Sequence, residues 1–212
     1  MIDLKLTALM SSKLCHDVIG PVGAVNNGIE LLQDENNADM REQAVALVSQ
    51  SAGEAAARLQ FYRLAFGLAS GMGQEVSIRD ARDLCRAYMA YSKVELDWPD
   101  AAGGAENLSK DAIKVLCNLA SIAAGALTRG GKLVVSGNIE NGSWQFEFTA
   151  SGPRAGLRED VTKALIEGYN EEELTAQNVG AQYMMAIASN NGYNITISKM
   201  EEDIVVLSAS NS

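Results

Sequence analysis

"SSKLCHDVIGPVGAVNNGIELL", residues 11–32, contains the single histidine of the chain, His16, in a segment patterned as a helix although it carries Gly20, Gly23 and Pro21. At about 100° of rotation per residue, Leu14, Val18, Val22, Val25, Ile29 and Leu32 fall within an arc of roughly 80°. Their spacing of 4, 4, 3, 4 and 3 is that of a heptad seam. His16 lies about 160° from the centre of that arc and points away from it. Ser12, Gly20, Gly23 and Asn27 share its face. Glycine inside a helix costs about 1 kcal/mol relative to alanine, so small residues gathered on one face suit close approach by another molecule; tight packing between helices is the alternative. Pro21 removes the amide that would bond the Asp17 carbonyl and is expected to bend the helix just past the histidine.

A free imidazole titrates near about pH 6.5 and is largely neutral at cellular pH, which leaves a ring nitrogen available as a nucleophile. Asp17 is placed to orient the ring or accept its proton, and Lys13, one turn earlier, to offset phosphoryl charge. The segment therefore reads as a nucleophilic histidine on a docking face.

Outward from this helix, residues 4–67 are nearly free of strand signals. Two long helical patterns are separated by "QDENNAD" (33–39), a polar loop expected to end one helix and cap the next. The second arm is rich in alanine and other good helix formers and stops before "SGMG" (70–73). The expected boundary lies there, giving a helical hairpin over residues 1–70 and a second domain over 71–212.

In the second domain the texture changes. "QEVSI" (74–78) and "KVELDW" (93–98) read as strands, with a helix over about 80–91 between them. After the loop "PDAAGGAEN", Ser109 is placed to cap a helix running to about Leu127. "KLVVSGNIENGSWQFEFTA" is two alternating runs joined by Asn141-Gly142, the pair favoured in type I′ hairpins, with Trp144, Phe146 and Phe148 on one face. Helical patterns near 159–167 and 176–190 precede a last hairpin of "YNITIS" and "DIVVLSA". The fold class is α+β: a helical hairpin followed by an α/β sandwich, a mixed sheet covered by helices on one face.

Composition narrows the function. The 212 residues are 47% apolar, enough for a real core, and their net charge of −10 argues against nucleic acid, whose phosphates require basic patches. No apolar stretch approaches the roughly eighteen residues that span a bilayer, and residues 1–13 lack signal-peptide architecture, so no membrane association and a cytoplasmic location are expected. Cys15, Cys85 and Cys117 lack CxxC pairing and read as small hydrophobes in a reducing compartment.

"HDVIGP" resembles the H-box of histidine kinases, in which an acidic residue follows the histidine and a proline stands five places after it. His16, Asp17 and Pro21 fit. The nucleotide boxes of those kinases are degenerate here. Asn118 matches the first asparagine of the N-box, but Ile122 stands where a magnesium-holding asparagine belongs, and an apolar side chain cannot ligate that cation. Ala150 replaces the adenine-reading aspartate ahead of Gly152. In the last glycine-rich box Gly180 survives, with Gln182 and Met184 crowding the turn.

An intact H-box on a hairpin followed by a nucleotide-blind sandwich resembles the ChpT-like histidine phosphotransferases over essentially the whole chain. The resemblance implies a homodimer whose hairpins form a four-helix bundle with one exposed histidine per protomer. It implies that phosphoryl passes from the receiver aspartate of a hybrid histidine kinase to His16 and on to response regulators of the CtrA and CpdR types. Magnesium would belong to the receiver, so no cofactor of its own is expected. Ser12, Gly20, Gly23 and Asn27 become candidate contacts for a receiver, beside the candidate catalytic set His16, Asp17 and Lys13. Gly20 stands where bifunctional kinases often carry a water-positioning polar residue, so phosphatase activity is not implied. Two further readings stand beside this one: an autokinase with a diverged ATP pocket, and a non-enzymatic pseudokinase adaptor or inhibitor indifferent to His16.

Overall fold

The computed structural model describes residues 4–33, 40–67, 75–104 and 106–211. Two helices, α1 (Leu4–Gln33) and α2 (Arg41–Ala65), form the antiparallel hairpin, and α1 runs unbroken through Pro21. They approach closely at Gly28, where an added methyl would stand 2.6 Å from Val48 Cγ2 and 3.3 Å from the Ala44 carbonyl oxygen. The absence of a side chain at this position thus sets how near the arms pack. Most of the polar stretch expected to cap α2, residues 34–39, lies outside the described residues. The residue adjoining α2 is Met40, which makes no side-chain cap bond.

Only part of the heptad seam of α1 turns toward α2. Leu14, Val18, Val25 and Leu32 are half-buried, but Val22 and Ile29 are exposed, and the buried positions are Met10 and Gly28. Helical periodicity locates an apolar arc without saying how many neighbours divide it, and here α2 covers one edge only. On α2, Val45 and Leu59 are likewise exposed.

The remaining elements are β1 (Glu75–Ser77), α3 (Ile78–Met89), β2 (Val94–Asp97), β3 (Asn107–Ser109), α4 (Lys110–Gly125), β4 (Gly131–Glu140), β5 (Ser143–Ser151), α5 (Glu159–Glu167), a 3-10 turn at Glu171–Glu173, α6 (Val179–Asn191), β6 (Asn194–Glu201) and β7 (Ile204–Ser210). The main sheet has the order β2-β4-β5-β7-β6, parallel between β2 and β4 and antiparallel elsewhere. A separate two-stranded ribbon joins β1 to β3. The strand β3 lies at the end of the stretch expected to be loop; three residues are too few for an alternation to register.

The local signals act as expected where they are strong. Ser77 Oγ accepts from the Asp80 amide at 3.0 Å and Ser109 Oγ from the Ala112 amide at 3.2 Å, each capping the helix that follows. Asn141 and Gly142 take φ of 52° and 83°, the paired positive values that a type I′ turn requires. Trp144, Phe146 and Phe148 are buried, and β5 and β7 pack against α4. The same core takes in Phe61, Tyr62, Leu64 and Ala65 from the last turns of α2. The expected boundary near residue 70 lies outside the described residues; before it, the hairpin is already anchored in the core of the sandwich.

Candidate functional site

Half-way along α1, the His16 side chain is 86% exposed and its Nδ1 stands 3.2 Å from Asp17 Oδ1. An ionised carboxylate can only accept, so the contact is a hydrogen bond in the tautomer that carries the proton on Nδ1, and that tautomer leaves the Nε2 lone pair free. Asp17, by contrast, is only 17% exposed and is held from both arms of the hairpin. Its Oδ2 accepts from Lys13 Nζ at 2.8 Å and from the Tyr62 hydroxyl at 2.5 Å. Its backbone carbonyl accepts from Arg58 Nη1 at 3.1 Å, while Arg58 Nε and Nη2 donate to Glu54 Oε1 at 3.0 and 2.6 Å.

Burial alone would push the Asp17 carboxyl up. The hydrogen bonds from Lys13 and Tyr62, the Lys13 charge and the His16 contact outweigh it and hold the group below the ordinary value of 3.8. Burial first, and then the neighbouring Tyr88 and the Asp17 carboxylate, push the Tyr62 phenol far up, so it stays a donor. Burial favours a neutral Arg58, but Glu54 more than restores its charge.

The sequence-read residues differ in exposure. His16, Ser12, Gly20 and Asn27 are exposed and Gly23 is half-exposed on one side of α1. A methyl added at Gly20 or Gly23 would meet no atom within 4 Å, so neither glycine serves packing between helices of this chain; Gly28 is the one that does. Lys13, about 60° around the helix from His16, is half-buried and puts its ammonium on Asp17. Cys85 and Cys117 are buried as expected of small hydrophobes, but Cys15 is exposed, because it falls next to the uncovered edge of the apolar arc.

Glu54, Arg58 and Tyr62 were not singled out in the sequence. Their stretch of α2 reads only as good helix former, and they stand 41 and 45 positions from Asp17 in the case of Arg58 and Tyr62. One signal was available: the carbonyl that Pro21 leaves without its helical partner needs a donor from elsewhere.

Three of the residues matched to the nucleotide boxes, Asn118, Ile122 and Gly180, line a cavity of about 250 Å³, with Lys13 of α1 at its wall. Several of the matched positions are engaged by the fold. Asn118 Nδ2 donates to the carbonyls of Ala65 and Lys114 at 3.0 and 2.8 Å. Ala150 is fully buried in β5, Met184 is fully buried in α6, and buried Gln182 accepts from the Asn170 amide at 2.8 Å. Gly152 is needed for packing: a methyl there would stand 2.5 Å from the Gly130 carbonyl oxygen.

Three comparisons bear on this arrangement. The family model described as the histidine phosphotransferase C-terminal domain matches residues 78–203. Protein phosphotransferase ChpT of Brucella abortus (strain 2308) is 38% identical over 202 residues, which are 95% of this chain and 94% of that protein. A solved structure of a bacterial phosphotransferase superposes with a TM-score of 0.85 at 34% identity, covering 99% of this chain and 97% of that one. The expected fold, a helical hairpin leading into an α/β sandwich, is borne out.

Proposed function

This chain belongs to the histidine phosphotransferase family, and from that premise we propose that His16 is the residue that carries the phosphoryl group through a phosphorelay. The observation that carries this reading is the pairing of an exposed imidazole with a held carboxylate: His16 is 86% exposed and its Nδ1 lies 3.2 Å from Asp17. The Nε2 lone pair attacks the phosphorus of a receiver aspartyl phosphate. The N–P bond forms, the O–P bond breaks, and its electron pair leaves on the donor carboxylate. The Nδ1 proton stays where it is, and Asp17 offsets the positive charge that the ring acquires. Transfer onward to a second receiver aspartate runs the same steps in reverse. Donor and product are both high-energy species, so the work of the protein is alignment.

The donor in this reading is the receiver of a hybrid histidine kinase and the acceptors are response regulators of the CtrA and CpdR types. Magnesium is supplied by the receiver, and the chain needs no cofactor of its own. Burial of Ala150 and Met184 and the apolar Ile122 support a sandwich that does not use ATP. Ser12, Gly20, Gly23 and Asn27 form the surface on which a receiver sits. Exposed Ile19, Val22, Ile29, Val45 and Leu59 support a homodimer in which two hairpins close a four-helix bundle. Residues 1–70 then carry dimerisation and transfer, and residues 71–212 the degenerate sandwich. Among the described residues no helix is long and apolar enough to cross a membrane; the relay is assigned to the cytoplasm.

The test offers wild-type and His16→Ala protein either labelled ATP or a labelled phospho-receiver with magnesium. Label arriving only from the receiver, and only on the wild type, is the expected result. Label from ATP alone would make the chain a kinase, and no label from any receiver would favour the adaptor.

A further inference from the structure

A proline at position 21 deletes the amide that would close the helical bond to the Asp17 carbonyl, and its ring crowds that same oxygen. A half-buried carbonyl without a donor is destabilising, and here it belongs to the residue that orients His16. Arg58 supplies the donor from the opposite arm, its Nη1 3.1 Å from the Asp17 oxygen. Glu54, one turn earlier on α2, takes two other guanidinium N–H groups at 3.0 and 2.6 Å and so fixes the plane of the fork. Tyr62, one turn later, holds the Asp17 carboxylate at 2.5 Å. Main chain and side chain of Asp17 are thus gripped by successive turns of α2, and α2 is anchored in the sandwich core through Phe61, Leu64 and Ala65.

We infer that Arg58 is a positioning residue for phosphoryl transfer, acting as the substitute donor for the amide that Pro21 lacks. The inference rests on His16 being the acceptor. A proline in a helix makes the direction of that turn depend on something outside it, and Arg58 ties the direction to the core. In-line transfer is sensitive to placement, since a displacement of about 1 Å can cost on the order of a hundredfold.

A coupled pair of substitutions tests this. Transfer from a labelled phospho-receiver with magnesium is timed for wild type, Arg58→Met, Pro21→Ala and the double variant, over a range of receiver concentrations. Arg58→Met should slow transfer at saturating receiver about tenfold and leave the half-saturating concentration unchanged, because its guanidinium is spent on Asp17 and Glu54. In the Pro21→Ala background the amide of residue 21 returns to the Asp17 carbonyl, so adding Arg58→Met should change the rate by less than about twofold. Arg58→Lys, which keeps the charge and an N–H donor but not the planar fork, should fall between wild type and Arg58→Met. The same non-additivity should appear in the thermal midpoints of the four proteins, a readout independent of activity. Wild-type rates in Arg58→Met, or an equal slowing in both backgrounds, would overturn the role. His16→Ala is run alongside: if it still takes label, the acceptor is misassigned and the transfer role of Arg58 falls with it, whatever the thermal cycle shows.

Discussion

The Tyr62 hydroxyl donates to Asp17 Oδ2 at 2.5 Å across the hairpin, so the residue next to the candidate phosphoacceptor is held by the arm opposite its own. The bond is charge-assisted and largely shielded from water. Tyr62→Phe keeps the ring and its edge contact with Phe61 and removes only the donor. It should lower unfolding free energy by about 1.5–3 kcal/mol, the range for hydrogen bonds to charged groups. Urea denaturation measures this, and a loss under about 0.5 kcal/mol would show that Lys13 alone suffices for the carboxylate.

Acid should expose the same network. Asp17 titrates below its ordinary value of 3.8 in the folded chain, so the unfolded state takes up its proton first as the pH falls. The stabilisation is complete above about pH 3.8 and disappears as the pH drops through the lowered folded value. Asp17→Asn, similar in shape but uncharged, should therefore be less stable than wild type at pH 7, with the difference shrinking below about pH 3.8. Unfolding curves at stepped pH read this directly; a gap that stays constant would mean that the charge contributes nothing.

Gly23 offers a way to separate docking from folding. No atom lies within 4 Å of a methyl placed there, and leucine is the better helix former by about 0.8 kcal/mol. Gly23→Leu should leave the thermal midpoint unchanged or slightly raised. If receivers seat on the face shared by His16 and Gly23, the added side chain should weaken transfer by raising the half-saturating receiver concentration. Unaltered kinetics would move the docking surface elsewhere.

What could be read from the residues is what local geometry determines. The rotation of an ideal helix put His16 on the solvent side of α1, the Asn141-Gly142 pair gave the hairpin between β4 and β5, and Ser109 gave the cap of α4. The grip of Arg58 and Tyr62 on Asp17 was not readable, because it depends on the register between two helices. That register follows from how closely α2 approaches Gly28, a distance with no periodicity of its own. Lys13 is a different case: its bond to Asp17 is an i,i+4 pair within α1, a spacing legible in the sequence, and it takes the ammonium that the wheel also placed near His16. Asn118 shows the converse: a residue matched to a nucleotide box spends both donors of its amide on the Ala65 and Lys114 carbonyls.

The uncovered apolar edges of the hairpin carry the last prediction. Ile29 on α1 and Val45 on α2 are 40% and 52% exposed, on either side of the close approach at Gly28. Farther along α2, Ala52, Ala56 and Leu59 are also exposed, and with Val45 they repeat at intervals of 7, 4 and 3. That is the seam of a helix expecting another helix. Burying it stabilises association by about 25 cal/mol per Å² of apolar surface. On α1, Ile29 lies roughly 140° around the helix from His16, so closing the seam leaves the imidazole open. Because neither side chain is buried within the protomer, Ile29→Glu with Val45→Glu should preserve the helical circular-dichroism signal and place like charges in the bundle. Light scattering on the eluting protein should then report a dimer for wild type and a monomer for the double variant. A wild type that elutes as a monomer at micromolar concentration would remove the four-helix bundle, and a variant that stays dimeric would move the interface off this seam.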